Sequence, residues 1–429
     1  MLPGSLADFT ITHYETSTQR IDPIVFEGQA AAHVHSFVGA SGYSTKATVD
    51  DLSKSECVSG TVTGDHTLYW APTLYHYNEV DKTFTQFPLE SAVTYYLSFR
   101  DMENGKPVNP EGNDIKPFPR GMRVTAGDAK NFKPFENPIV GRGFGFKCIP
   151  KNQEPSKEST REIPQVDNCE KLRLEITFPS CSKDLSILGG KEDHATHLVY
   201  PEAVGALSSG KCPASHPIRL PTVFHEWVYD VSKVSNVGGG RWVLSNGDTV
   251  GYSLHADMIL NWDEELLAKA INDPSLGFDV NLDANKSVFA GKTISLDEAQ
   301  KCKNKGKVVY PNEEARGTGT TKLYKLPGCN PIRNGPFVGQ DGVTCDPTGP
   351  PPPADGSAAS AAGGSATAGS TASTSAAGAQ ATGATAGGSA SSSAVSTTSA
   401  SVALSTTAPA AASTTVTPKL FRRYMGPRG

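Results

Sequence analysis

One stretch of this chain sets the limit on what the rest can fold into. From Ala354 to Thr417, 57 of 64 residues are Ala, Ser, Thr or Gly, none is aromatic, and Asp355 is the one charge. Such a segment offers too little apolar surface to offset the roughly 1–2 kcal/mol of backbone entropy lost per ordered residue. The tract is therefore expected to be a disordered stalk, either a linker or an O-glycosylated spacer. A globular body is left at about residues 1–353, large enough to bury one generous core. This body holds 35 Lys and Arg against 43 Asp and Glu, while the tip at 418–429 carries Lys419, Arg422, Arg423 and Arg428. An acidic body with four basic residues on a tail excludes a nucleic-acid groove spread over the fold.

All eight cysteines lie in the body: Cys57, Cys148, Cys169, Cys181, Cys212, Cys302, Cys329 and Cys345. No two are spaced as C-x-x-C, which argues against zinc ribbons and thioredoxin-type redox sites. An even number of dispersed cysteines beside a Ser/Thr-rich tract reads as disulfides formed in an oxidising compartment, with the pairing open. The sequon Asn285-Lys286-Ser287 is compatible with that route. Residues 1–19 read as a lead-in without a visible signal peptide, and no run of 18 apolar residues suggests a membrane-spanning helix. The expected location is extracellular or in a cell wall.

Strand-like runs at Thr83–Leu89, Ala92–Phe99, Arg123–Thr125, Leu172–Phe178, His197–Tyr200, Val223–Val231 and Arg241–Leu244 alternate with Gly, Pro and Asn/Asp turn signals. Many short strands and few helices predict a mostly β domain, sandwich or jelly-roll in type, over about residues 20–300. Asn261 is placed to cap a helix over Trp262–Asn272, and Ser295-Leu296-Asp297-Glu298 forms a capping box ahead of a second. Residues 301–353 carry three cysteines with many Gly and Pro, and read as an extension tied to the body.

The histidines carry the chemistry. His33 and His35 stand two apart, on one face of an extended segment. His194 and His197 follow Asp193, His216 lies in Cys212-Pro213-Ala214-Ser215-His216-Pro217, and His255 precedes Asp257 by two. Three neutral imidazoles make a zinc or copper site, and a His beside an Asp makes a general base with its orienting partner. The candidate catalytic residues are His33, His35, His255 and Asp257. Candidate binding residues are Trp70 and Tyr95, as faces for sugar stacking, Arg123, as a clamp for an anionic group, and His194, His197 and His216. Isolated loop histidines and core aromatics explain the same residues without any site. No H-E-x-x-H, G-x-S-x-G, G-x-G-x-x-G or P-loop pattern is present, so metalloproteases, α/β-hydrolases, dinucleotide enzymes and nucleotide triphosphatases have no sequence support.

Arg20-Ile21-Asp22-Pro23, Ala32-His33-Val34-His35-Ser36-Phe37-Val38-Gly39-Ala40-Ser41, Leu68-Tyr69-Trp70-Ala71-Pro72 and Phe118-Pro119-Arg120-Gly121-Met122-Arg123 occur in this order. They are followed by Phe178-Pro179-Ser180-Cys181, Asp193-His194, His197-Leu198-Val199-Tyr200-Pro201, Cys212-Pro213-Ala214-Ser215-His216-Pro217, Ser245-Asn246-Gly247-Asp248, Gly251-Tyr252-Ser253-Leu254-His255-Ala256-Asp257 and Asn261-Trp262. The series resembles the fungal secreted domain family of unknown function DUF1996, over about residues 20–272. The resemblance implies an extracellular protein. Some relatives are joined to carbohydrate-binding modules, which implies polysaccharide or cell-wall glycan as partner. It also aligns His33, His35, His194, His197, His216, His255 and Asp257 with the family's motifs. The resulting expectation is a protein that acts on or binds extracellular polysaccharide through a His-rich cleft. The alternatives are a structural or adhesive wall protein and an extracellular metal-binding protein.

Overall fold

The computed structural model describes residues 9–339, apart from 99–100, 104–105, 109–114, 152–157, 203–206, 209, 233–239, 274–275, 277–286, 306–322, 329 and 335–336. The chain divides into two units between Ser360 and Ala361, and the second lies wholly outside the described residues. So do the stalk, the basic tip, the sequon at Asn285, Cys329 and Cys345.

The expected β-rich body is present. Two five-stranded antiparallel sheets dominate it. The first runs in the order Phe9–His13, Leu89–Leu97, Thr222–Asp230, Cys169–Thr177 and Phe144–Pro150. The second runs Arg123–Gly127, His255–Ile259, Leu68–Pro72, His35–Gly39 and Ser17–Gln19. The long strands of the first sheet alternate buried with half-buried residues, the period-two pattern of a sheet with one face on a core. Their inward residues Phe9, Ile11, Tyr96, Leu174, Val223 and Trp227 share one core with Val38, Tyr69, Ala71, Val124 and Met258 of the second sheet.

The second sheet is covered on both faces. Its outward residues Phe37, Leu68, Trp70 and Ile259 form a separate cluster beneath Ile21, Ile24, Tyr43, Ala47 and Leu52. The stretches on either side of His35–Gly39, residues 21–24 and 43–52, therefore lie over this sheet as a blanket. Two-sided burial removes the polar alternation that marks a strand, which is why His35–Gly39 and His255–Ile259 show no strand signal in the sequence.

A directional chain of hydrogen bonds crosses the main core. Trp262 Nε1 donates to Tyr96 Oη at 2.7 Å, the Tyr96 and Tyr69 hydroxyls are 2.6 Å apart, and Tyr69 Oη donates to Asp65 Oδ2 at 2.9 Å. Because Tyr96 and Tyr69 belong to different sheets, the chain joins the two layers and satisfies polar atoms that burial would otherwise leave unpaired.

The helix after the second sheet spans Glu264–Ala270 and is capped by Asp263, whose side chain accepts from Leu266 N, rather than by Asn261 as the sequence predicts. Asn261 is occupied elsewhere: its Oδ1 accepts from Arg120 Nε at 2.7 Å and its Nδ2 donates to Val49 O. The capping box at Ser295 forms and opens the helix Leu296–Lys301. Disulfides link Cys57 to Cys302, Cys148 to Cys169 and Cys181 to Cys212. No helix among the described residues is long and apolar enough to cross a membrane.

Candidate metal centre

Strand register assembles the centre. Trp70 pairs with Phe37 on one side and with Asp257 on the other, and Pro72 pairs with His35. Continuing that register by two residues sets His255 opposite Pro72, so His35 and His255 flank Pro72 on the blanketed face of the sheet. Proline, which has no amide hydrogen to give to the ladder, is tolerated here as the last residue of its strand. His33, two residues before His35, completes the group from the approach to the same strand. The nearest ring nitrogens of the three lie within 4.8 Å of one another, and His33 Nε2 is 3.1 Å from His255 Nε2.

Two of the rings are oriented by backbone carbonyls. His35 Nδ1 donates to Ile21 O at 2.8 Å, and His255 Nδ1 donates to Ser253 O at 2.8 Å. A proton fixed on Nδ1 leaves the Nε2 lone pair of each neutral ring turned toward the shared space. His35 Nε2 is buried with no hydrogen-bond partner among the described residues. Burial, and then the neighbouring imidazoles, hold His33 and His35 well below the ordinary histidine range. Burial also lowers His255, to about 4, against weaker opposing contributions from the Ser253 carbonyl and the Asp128 charge. The rings are neutral at ordinary pH, the form that ligates metal.

Gly127 makes room for His255. Its backbone has φ +90°, and a Cβ there would lie 2.3 Å from Leu254 O and 2.9 Å from His255 Cα. Only glycine combines that conformation with so close an approach.

A pair of carboxyl groups borders the triad. Asp257 stands across from Thr125 in the register, and Thr125 Oγ1 donates to Asp257 Oδ1. Asp22 Oδ1 accepts from Ile24 N and Val25 N, each at 3.0 Å, in a turn that begins the blanket segment. Burial raises both carboxyls, and the charge of Asp22 pushes Asp257 up further, so protonation of Asp257 is favoured. His194 bears on Asp22 in the opposite sense, favouring its ionised form.

The loop that carries His194 lies along the free edge of Arg123–Gly127. Arg123 N donates to Leu188 O and Thr125 N donates to His194 O, so the loop satisfies that edge and brings His194 beside Asp257's partner. His194 Nδ1 and His197 Nδ1 are tied to the carbonyls of Gly190 and Asp193.

The other candidates stand apart from the triad. Trp70 is fully buried and stacked on Phe37, with ring centroids 5.8 Å apart, so no face is free for a sugar. Tyr95 belongs to the first sheet and donates from its hydroxyl to Glu226 Oε2. The alternation that makes these residues look like a stacking face fixes only the parity of a side chain, not whether a second layer covers it. Arg123 lies at the far end of its strand from Gly127 and the triad. His216 is in the turn after Cys212 and contacts Ser215 Oγ. Sequence reasoning did not single out Asp22 as a site residue. The signal available for it was an Asp-Pro turn ahead of His33 and His35.

No curated protein and no solved structure matches this chain. The sequence profile of the domain of unknown function DUF1996 matches residues 22–262, more than half of the 429 residues and a span that contains the triad and both carboxyl groups. The three disulfides among the described residues are consistent with a secreted protein. On the extent of that match, the chain belongs to the DUF1996 family.

Proposed function

We propose that this is a secreted protein of fungal type whose His33, His35 and His255 hold one zinc or copper ion, and that the centre acts on extracellular or cell-wall polysaccharide. The observation that carries the reading is the convergence of His255 on the local pair His33 and His35, three neutral imidazoles in all, with an orphan lone pair on His35 Nε2. Tetrahedral coordination at about 2.0–2.1 Å puts ligand nitrogens about 3.3 Å apart. The His33 to His255 separation of 3.1 Å is already near that value, and the spread of 4.8 Å closes with small side-chain rotations. A bound ion would supply a Lewis acid and a water made acidic at neutral pH. Asp257, whose protonated form is favoured by burial and then by the Asp22 charge, would be the group to donate a proton to a leaving oxygen. The polysaccharide part of the reading rests on the family resemblance and on the stalk, which would hold the domain away from a wall.

The low exposure of the three rings, at 5%, 1% and 4%, favours a second reading in which the ion is sequestered or structural and no substrate reaches it. One experiment separates the two. Purified protein is analysed for metal, then incubated with wall and plant glycans with and without chelator. Product release that chelator abolishes supports the catalytic reading. One ion per chain without glycan turnover supports the sequestering one. No metal, even after reconstitution with zinc or copper, overturns both.

A further inference from the structure

A separate cleft lies at the other end of the same sheet. The strand that begins at His255 leads through Ile259 to Asn261 and Trp262, about 20 Å further on at about 3.3 Å per residue. There the surface opens into a cleft of about 620 Å³, within the range of about 300–1,000 Å³ found for small-molecule sites.

Its floor is pre-built. Arg120 donates from Nε to Asn261 Oδ1 at 2.7 Å and from Nη2 to Ser53 Oγ at 2.5 Å, while its backbone N donates to Glu264 Oε1 at 3.0 Å. Asn261 Nδ2 donates to Ser53 Oγ at 3.0 Å and to Val49 O at 3.3 Å. A guanidinium fixed in this way keeps Nη1 without a partner among the described residues. His66 Nδ1 donates to Leu52 O at 3.2 Å, which leaves its Nε2 as an acceptor on the cleft wall. Lys292 Nζ and Asp263 Oδ2 stand 4.0 Å apart, too far to saturate each other.

The cleft thus offers donors at Arg120 and Lys292 and acceptors at His66, Asp263 and Glu264. Two cationic and two anionic side chains balance, so the site has no net pull on a phosphate, a polyanion or a cation. Trp262 is 3% exposed, so its ring offers no broad apolar face to a lipid or an aliphatic side chain. Interleaved donors and acceptors without net charge match a ligand whose every group both donates and accepts, which is the chemistry of adjacent sugar hydroxyls. We infer that the cleft between Arg120, Asn261 and Lys292 binds a neutral saccharide segment, independently of any metal at the histidines.

The test uses the full chain and soluble oligosaccharides: neutral glucan and chitin oligomers, with oligogalacturonate as the charged comparison, by titration calorimetry and saturation-transfer NMR. Lys292→Ala removes one donor, and Asp263→Asn keeps the helix cap while removing the charge. Each is expected to weaken neutral-oligosaccharide binding about tenfold, with melting temperature and metal content unchanged. His33→Ala is expected to leave this binding intact, so failure of the metal reading and failure of this one are distinguishable. Three results would overturn the inference: no neutral oligosaccharide binds, binding is the same in the Lys292→Ala/Asp263→Asn double variant, or oligogalacturonate binds more tightly in a salt-sensitive way.

Discussion

His33 Nε2 and His255 Nε2 approach to 3.1 Å although 222 positions separate them in the chain. His255 has its proton on Nδ1, held by Ser253 O, so its Nε2 presents a lone pair to His33. In the metal-free protein His33 Nε2–H donates across that gap; to ligate an ion through Nε2 as a neutral ring, His33 would carry its proton on Nδ1 instead. Burial lowers all three imidazoles, His255 to about 4. Protons therefore compete with a metal only at low pH. We expect one equivalent of zinc or copper by elemental analysis, retained at pH 5.5, where exposed histidine sites, with pKa near 6.5, are largely protonated. His33→Ala is expected to carry none. Release of the metal between pH 7 and 6 would contradict the assignment.

Gly127→Ala should loosen the centre without touching a ligand. The new methyl meets Leu254 O and His255 Cα, at a backbone conformation that L-residues rarely adopt. Strain of about 1–3 kcal/mol is expected. Melting temperature should fall, and metal affinity should fall further than an equally destabilising substitution remote from the site would cause. Equal effects on affinity from the two variants would show that Gly127 does not position His255.

Acid should unfold this protein from an unusually high pH. His13 is fully buried with neither ring nitrogen bonded among the described residues, and burial lowers it to about 3. Below about 6.5 the unfolded chain takes up a proton that the folded chain refuses, so stability falls as pH drops from 6.5 and levels off below about 3. At about 1.4 kcal/mol per pH unit the loss is on the order of 5 kcal/mol. Asp65 has the opposite sign: burial raises it to about 6, so the folded carboxyl keeps a proton that the unfolded chain releases above about 3.8, and stability falls as pH rises from 3.8 to 6. His13→Leu should flatten the limb between pH 6.5 and 4, read as the urea midpoint against pH. An unchanged slope would show that His13 is not a source of the acid sensitivity.

The hydrogen-bond chain through the core predicts a cost for a single oxygen atom. Tyr69→Phe leaves Asp65 Oδ2 and the Tyr96 hydroxyl without the partner they share. An orphaned buried polar group costs about 1–3 kcal/mol. Urea unfolding of the variant should show a loss in that range at neutral pH, and no loss would mean that water replaces the phenol.

The disulfide between Cys57 and Cys302 closes a loop of 245 positions. Cross-links over long loops restrict the unfolded chain most, and loss of such a bridge costs about 2–5 kcal/mol. The double variant Cys57→Ser/Cys302→Ser should unfold at lower denaturant with little change in metal content, because neither cysteine contacts the triad. Coupled loss of metal would show that the blanket segment depends on this bridge.

Much of the first sheet is legible in the sequence because its strands are covered on one face. Leu172–Phe178 and Val223–Val231 alternate as half-buried strands do; the first starts three residues inside its observed strand Cys169–Thr177, and the second is shifted by one residue from Thr222–Asp230. In the second sheet Arg123–Thr125 is legible, but His35–Gly39 and His255–Ile259 are not, for the converse reason: both are buried throughout, and two-sided burial looks like an unpatterned apolar run. The triad is legible through its chemistry, since few residue types ligate metals and His33 with His35 fixes one face of a strand. What the sequence withholds is the register, which sets His35 and His255 on either side of Pro72 and Asp257 against Thr125. Asn261 illustrates the limit of local rules: it has the right chemistry for a helix cap, but Arg120, 141 positions away, claims its side chain.

The distance along the chain between His33 and His255 also fixes an order of events in the life of the molecule. A ribosome must deliver the strand that pairs with Leu68–Pro72 before the third imidazole exists, and until then His33 and His35 are a bare pair with weak hold on any ion. An ion held by all three rings could therefore enter only after the sheet has closed.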